Sequence, residues 1–185
     1  MNTDADAGRL QSFSFDSRAQ RVLFGHGCLA QVADELARMG ARKALVLCTP
    51  PQRAQAERVA DLLGAGAAGI FDGAVMHVPI ESARAAREAA ARLGADAAVA
   101  IGGGSTVGLG KAIALESGLP ILAIPTTYAG SEMTPIFGLT ENGLKRTGKD
   151  PRVLPRTVIY DPALTLGLPV GLSVVSGINA IAHAA

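Results

Sequence analysis

The sequence predicts an α/β protein built on a doubly wound parallel sheet, and three observations lead there. Short runs rich in Val, Ile, Leu and Ala alternate with stretches of helical periodicity, and glycines close several of those stretches. One alternation passes through three glycines and a serine, in "VAIGGGSTVGLGKAIA" from Val99 to Ala114. Strands covered by helices on both faces read as unbroken apolar runs, and strand–helix alternation at this pitch demands right-handed parallel crossovers. Composition agrees: 49% of the 185 residues are apolar, 22 are glycine and only 4% are aromatic, the texture of small-residue helices packed on buried strands. The length is enough for a core of its own.

In chain order, a polar and acidic lead, "MNTDADAGRLQSF", lacks the pattern of a signal peptide. A weak strand at Arg21–Phe24 is ended by Gly25 and Gly27. From Leu29 to Met39, Leu29, Val32, Ala33, Leu36 and Ala37 follow helical spacing, and Gly40 closes the segment. "KALVLCTP" (43–50) is a buried strand cut off by Pro50 and Pro51, with a helix behind it through Leu63. "AVMHV" (Ala74–Val78) is expected as the next strand, before an alanine-rich helix from Glu81 to Leu93 that stops at Gly94. "DAAVAI" (Asp96–Ile101), the glycine run, a helix to Ser117 and "PILAIPTT" (Pro120–Thr127) repeat the rhythm. After Ser131 it breaks: "MTPIFGLTENGLKRT" forms a hairpin turning at Asn142-Gly143, and "RTVIYD" (Arg156–Asp161) is a last strand.

The tail, "GLSVVSGINAIAHAA", starts a helix whose Val174, Val175, Ile178, Ile181 and Ala182 need a surface to cover them. Either the helix packs on the parallel domain or it opens a second unit. The second reading is preferred, which divides the chain into a nucleotide-binding α/β domain over 1–168 and the first helix of a missing all-α domain over 169–185.

Charge and cysteine usage remove several classes. Net charge is +1, with basic residues spread along the chain, so no nucleic-acid footprint exists. Cys28 and Cys48 lack CxxC spacing, and no apolar run reaches the roughly 18 residues of a membrane span. A cytoplasmic protein with no membrane partner is expected.

Three segments carry chemistry. In a doubly wound sheet ligands sit at the carboxyl ends of strands, where a helix amino terminus offers free N–H groups to an anion. Gly102, Gly103 and Gly104 remove the side chains that would keep a diphosphate off the backbone, and Ser105 adds a hydroxyl at the expected N-cap. The competing reading is a tight turn that needs positive φ. Neither standard motif is complete. Ala112 follows Gly110-Lys111 where a P-loop needs Ser or Thr, and Val107 replaces the third glycine of the dinucleotide fingerprint. "IPTTYAGSEMTP" (Ile124–Pro135) should reach the same rim, with Thr126, Thr127, Tyr128 and Ser131 placed for ribose, phosphate or carboxylate, or else serving as an ordinary polar loop. Asn179 and His183 are four apart on one helical face. An Asp in place of Asn179 would make half a metal site, but a neutral amide is a poor ligand for zinc or iron.

Together, "GGGSTVGLGKAIA", "PILAIPTTYAGSEMTP", "VIYDPALTLGLP" and "SGINAIAHAA" resemble the iron-containing (group III) alcohol dehydrogenase family, from about Phe24 to the last residue. "PTTYAGSEMTPIFGLTENGLKRTG" and Asn179 look most like its maleylacetate reductase branch. The resemblance implies a Rossmann-like amino-terminal domain, a helical carboxy-terminal domain and an active site between them. It implies that Gly102, Gly103, Gly104 and Ser105 cradle the diphosphate of NADH or NADPH, and that Thr126, Thr127 and Ser131 flank the nicotinamide. Tyr128, Asn179 and His183 would face the substrate, an oxo-dicarboxylate, in the reduction of maleylacetate to 3-oxoadipate during aromatic degradation. Metal-dependent members carry Asp where Asn179 stands, so no metal is expected. Thr49 ends "LVLCT" where many relatives have an Asp that repels a 2′-phosphate, so either coenzyme fits. A homodimer is expected. The rival expectations are a non-catalytic nucleotide-binding module and a metal-dependent alcohol dehydrogenase.

Overall fold

A computed structural model describes residues 19–184; the polar lead lies outside the described residues. Eight strands and five helices follow in order: β1 Arg21–Phe24, α1 Val32–Arg38, β2 Ala44–Leu47, α2 Arg53–Leu63, β3 Ala67–Phe71, α3 Ile80–Leu93, β4 Ala97–Gly102, α4 Gly104–Ser117, β5 Ile121–Pro125, β6 Ile136–Glu141, β7 Leu144–Lys149, β8 Thr157–Tyr160 and α5 Val170–Ala184. Six strands form one sheet in the order β1-β8-β5-β4-β2-β3, and every pairing in it is parallel.

That order places the fold's most useful feature. From β2 the chain steps outward to β3, then returns past β2 to lay down β4, β5 and β8 on the other side. The direction reverses between β2 and β4, and the diverging crossovers open a crevice at their carboxyl ends.

Side-chain alternation divides the core into two layers. Ala44 and Val46 of β2, with Val99 and Ile101 of β4, point to the layer holding Val32, Leu36, Ala56 and Val59 of α1 and α2. Leu45, Leu47 and Ala98 point to the opposite layer, with Ala83, Ala86 and Ala90 of α3 and Leu109 and Ile113 of α4. α4 is covered on nearly all sides, from Thr106 through Ala114 with few breaks. At Gly110 the helix lies close to the sheet, where a Cβ would make ordinary contacts 3.5 Å from Ile121 and 3.6 Å from Ala100.

The expected strand at Ala74–Val78 is a loop, and the neighbouring strand is β3. "AAGIF" has two alanines and a glycine, so nothing in it advertises β-structure. It forms because Gly69 fits under α3, where a Cβ would meet Leu93 Cδ1 at 2.9 Å, and because β2 supplies a parallel ladder, interrupted once by a register shift between Ala44 and Leu45. Ala74 and Val78 are buried in the second layer while Val75 and Met76 are exposed, so the apolar spacing was genuine but sits on a turn. His77 and Val78 both take positive φ there, 65° and 46°.

The hairpin at 136–149 forms its own two-stranded sheet, turning at Asn142 (φ 50°) and Gly143 (φ 74°) as Asn-Gly turns require. It leans on α3 and α4 and is tied to the preceding loop by Thr140, whose N–H donates to Val78 O at 3.1 Å and whose hydroxyl donates to His77 O at 2.8 Å.

Candidate functional site

The carboxyl ends of β2, β4 and β5 open into a cleft of about 870 Å³. Thr49, Gly103, Gly104, Ser105, Thr126 and Thr127 all line it. The glycine run behaves differently residue by residue. Gly102 ends β4 beneath the surface: a Cβ would meet Gln52 Oε1 at 2.7 Å and crowd Thr106 Oγ1, a buried hydroxyl with no hydrogen-bond partner among the described residues. Gly103 is the N-cap with an extended backbone, and a Cβ would come within 3.0 Å of Thr127. A Cβ on Gly104 would meet only Ala129 at an ordinary 3.7 Å. So protein packing demands the first two glycines, whereas the bareness of Gly104 serves nothing inside the protein. Gly102 does take positive φ, 153°, so the positive-φ reading holds for that residue, whereas neither Gly103 nor Gly104 has positive φ.

The N-cap is Gly103 rather than Ser105, which is the second helical residue. Ser105 lines the cleft and also a smaller hollow beside it. Thr106 and Val107 N–H donate to Gly103 O at 3.1 Å each, while Gly104 and Ser105 N–H belong to the first turn and have no intrahelical acceptor.

The floor is a short polar ladder. Thr49 Oγ1 donates to Gln52 Oε1 at 2.9 Å, and Gln52 Nε2 donates to Thr126 Oγ1 at 2.8 Å, spanning from the end of β2 to the end of β5. Thr126 N–H donates to Gly102 O at 3.0 Å and locks the glycine loop to the hydroxyl loop. Gln52 is a site residue that sequence reasoning missed. In "PPQRAQAER" it looks like any helix start.

The remaining candidates sit elsewhere. Tyr128, 39% exposed, lines a second cleft of about 720 Å³ with Phe24, Glu132, Met133 and Tyr160. Thr127 lines both clefts. Ser131 lines a smaller hollow of about 270 Å³ that also touches Gly104 and Ser105. Asn179 and His183 lie on α5, whose Leu172 and Ser176 line the first cleft and Ala180 the second; their own side chains lie outside the described residues.

Two buried ionic groups hold the hydroxyl loop, and neither was singled out from sequence. Lys111 on α4 is fully buried, and its Nζ donates to Ser131 O at 2.6 Å, Ile136 O at 2.7 Å and Thr134 O at 2.8 Å. Burial pulls its ammonium down to about 8, partly opposed by the field of Glu132. On the other side, Tyr160 of β8 donates its hydroxyl to the buried Glu132 Oε1 at 2.7 Å. Burial, and then this bond to a carboxylate, push the phenol pKa well up. Gln20 Nε2 adds a bond to Glu132 O at 2.8 Å. The loop after β5 is therefore clamped from α4, β8 and the segment before β1.

Residues 19–162 match the family described as iron-containing alcohol dehydrogenase. The chain belongs to the iron-containing alcohol dehydrogenase family. It is 68% identical over 176 residues to a maleylacetate reductase of Burkholderia cepacia, covering 95% of this chain and 50% of that protein. A maleylacetate reductase of Pseudomonas sp. (strain P51) is 58% identical over 173 residues. The crystal structure of maleylacetate reductase from Agrobacterium tumefaciens superposes with a TM-score of 0.92 at 53% identity, covering 95% of this chain and 50% of that one. The chain spans about half the length of the relatives it matches.

Membership of an iron-containing family gives no support to the expectation of a metal-free protein. Among the described residues no group of three His, Cys, Asp or Glu converges, and the side chains of Asn179 and His183 lie outside them. Among the described residues no helix is long and apolar enough to cross a membrane.

Proposed function

We propose that this chain is the coenzyme-binding part of an NAD(P)H-dependent maleylacetate reductase, reducing maleylacetate to 3-oxoadipate in the cytoplasm as part of a homodimer. One observation carries the reading: the bare backbone of Gly103–Ser105 and the end of β2 at Thr49 flank the point where the strand order reverses, beside a cleft of about 870 Å³. A doubly wound sheet binds dinucleotides there, and the first-turn amides of α4 favour the diphosphate. The similarity to maleylacetate reductases supports the substrate class.

A bound reduced nicotinamide supplies the hydride. The protein's part is placement. Gly103, Gly104 and Ser105 hold the diphosphate, with Gly102 giving the packing room beneath. Thr49 meets the adenosine ribose, and Thr126, Thr127 and Ser131 line the nicotinamide end. Lys111 and Glu132 keep that loop in position from below. Tyr128, Asn179 and His183 face the oxo-dicarboxylate. The domain division at residue 168 follows the same reading, with α5 opening a helical unit that completes the active site.

The half-length match and the bare apolar face of α5 favour one second reading for the chain by itself: it binds coenzyme without turning over. Titration with NADPH, followed by addition of maleylacetate while watching the nicotinamide absorbance band, tests both. Binding supports the proposal, turnover by the chain alone removes the second reading, and absence of binding overturns the first.

A further inference from the structure

The walls of the 870 Å³ cleft carry one charged side chain among the described residues, and it is Arg58 in the second turn of α2. No carboxylate lines that cleft. Arg58 is exposed and has no ion pair among the described residues, although acidic groups are close in sequence. Its neighbour Arg53 shows the contrast: it donates to Glu57 Oε1 at 3.0 Å and to Asp72 Oδ2 at 2.9 Å, and it does not line the cleft. One guanidinium of α2 is committed to carboxylates, and the other is left facing open volume.

Arg58 also stands at a particular end of the cleft. Thr49, Gln52, Gln55 and Arg58 all come from the β2–α2 side, whereas the first-turn amides of Gly104 and Ser105 come from α4 across the reversal point. If the amides take the diphosphate, the β2 side takes the adenosine ribose. That end presents a hydroxyl, amides and a cation. A ribose 2′-hydroxyl needs only the first two. A dianionic 2′-phosphate needs a charge, and a planar guanidinium presents several donors to it at once.

We infer that Arg58 receives the 2′-phosphate of NADPH, so that this cleft takes the phosphorylated coenzyme at least as tightly as NADH. The inference rests on the coenzyme reading of the cleft. It adds what that reading lacks, the group that tells the two coenzymes apart.

The test measures dissociation constants for NADPH and NADH by nicotinamide fluorescence on the full chain, as wild type, Arg58→Gln, Arg58→Lys and Arg53→Gln. Loss of one charge-assisted contact should lower the NADPH-to-NADH affinity ratio in Arg58→Gln by roughly tenfold. Arg58→Lys should restore part of the ratio, and Arg53→Gln, an equal charge change five residues earlier on the same helix, should leave it near the wild-type value. Adenosine 2′,5′-bisphosphate should compete more weakly with Arg58→Gln than with wild type, while adenosine 5′-monophosphate competes alike. An unchanged ratio in Arg58→Gln overturns the inference and leaves the coenzyme reading standing. An equal fall in Arg53→Gln also overturns it, because a long-range field would then explain the effect. Binding of neither coenzyme to wild type overturns both readings together.

Discussion

At the scale of single residues, the glycine run separates into parts with different duties, and substitution can show it. Gly104→Ala places its methyl in ordinary contact with Ala129. Its stability should match or exceed wild type, since alanine is the better helix residue. NADPH affinity should fall on the order of tenfold if the vacated space belongs to a phosphate. Gly102→Ala should instead destabilise by about 1–3 kcal/mol in urea melts, because it pushes on Gln52 and Thr106. Lys111 offers a pH test. Its folded pKa near 8 lies below the ordinary 10.5, so the unfolded chain binds more protons across that window. Stability from this group therefore rises as pH climbs through it and is flat below it. Lys111→Met should cost at least about 2 kcal/mol at neutral pH by leaving carbonyls unmatched, and the gap to wild type should widen between pH 8 and 10.5. A gap that stays constant there would show the lysine stays charged in the fold. The glycines were legible because side-chain absence is visible in a sequence. Lys111, Glu132 and Gln52 were not, since their letters look the same on a solvated helix as in a buried clamp.

At the scale of elements, the strands buried on both faces announced themselves. β2, β4, β5 and β8 are apolar runs bounded by turn residues, and the Asn142-Gly143 turn identifies its hairpin. β3 did not, because its strand character comes from the ladder with β2 and the seat under Leu93, both set by residues distant in sequence. The N-cap moved from Ser105 to Gly103 for a related reason: the extended backbone of a glycine can start the helix two residues earlier. The element most specific to the candidate site is the clamped loop after β5. Tyr160→Phe removes the hydroxyl that meets the buried Glu132 carboxylate. A cost of about 1–3 kcal/mol in denaturation is expected, with Glu132→Gln in the same background recovering part of it. No loss in Tyr160→Phe would mean that water replaces the bond and the loop is held from α4 and the segment before β1.

At the scale of the whole molecule, the alternation of segments gave the class and placed the glycine loop and the hydroxyl loop on one rim. The order β1-β8-β5-β4-β2-β3, which locates the reversal beside β4, depends on crossover directions that no local pattern encodes. α5 shows the other side of this. Val170, Val175, Ile178 and Ile181 are 63–80% exposed, so the helix has found no cover on the parallel domain. An apolar face of this kind should bind a fluorescent hydrophobic dye and drive self-association. The double variant Val175→Lys/Ile178→Lys should lower both, measured by dye fluorescence and sedimentation; unchanged association would place the contact elsewhere. All of these scales converge on the amides that open α4. The most direct test is a nuclear magnetic resonance titration of the isotopically labelled chain with NADPH. Saturable shifts concentrated at the Gly103, Gly104 and Ser105 amides are expected, and tight binding that leaves these three unmoved would contradict diphosphate binding at the start of α4.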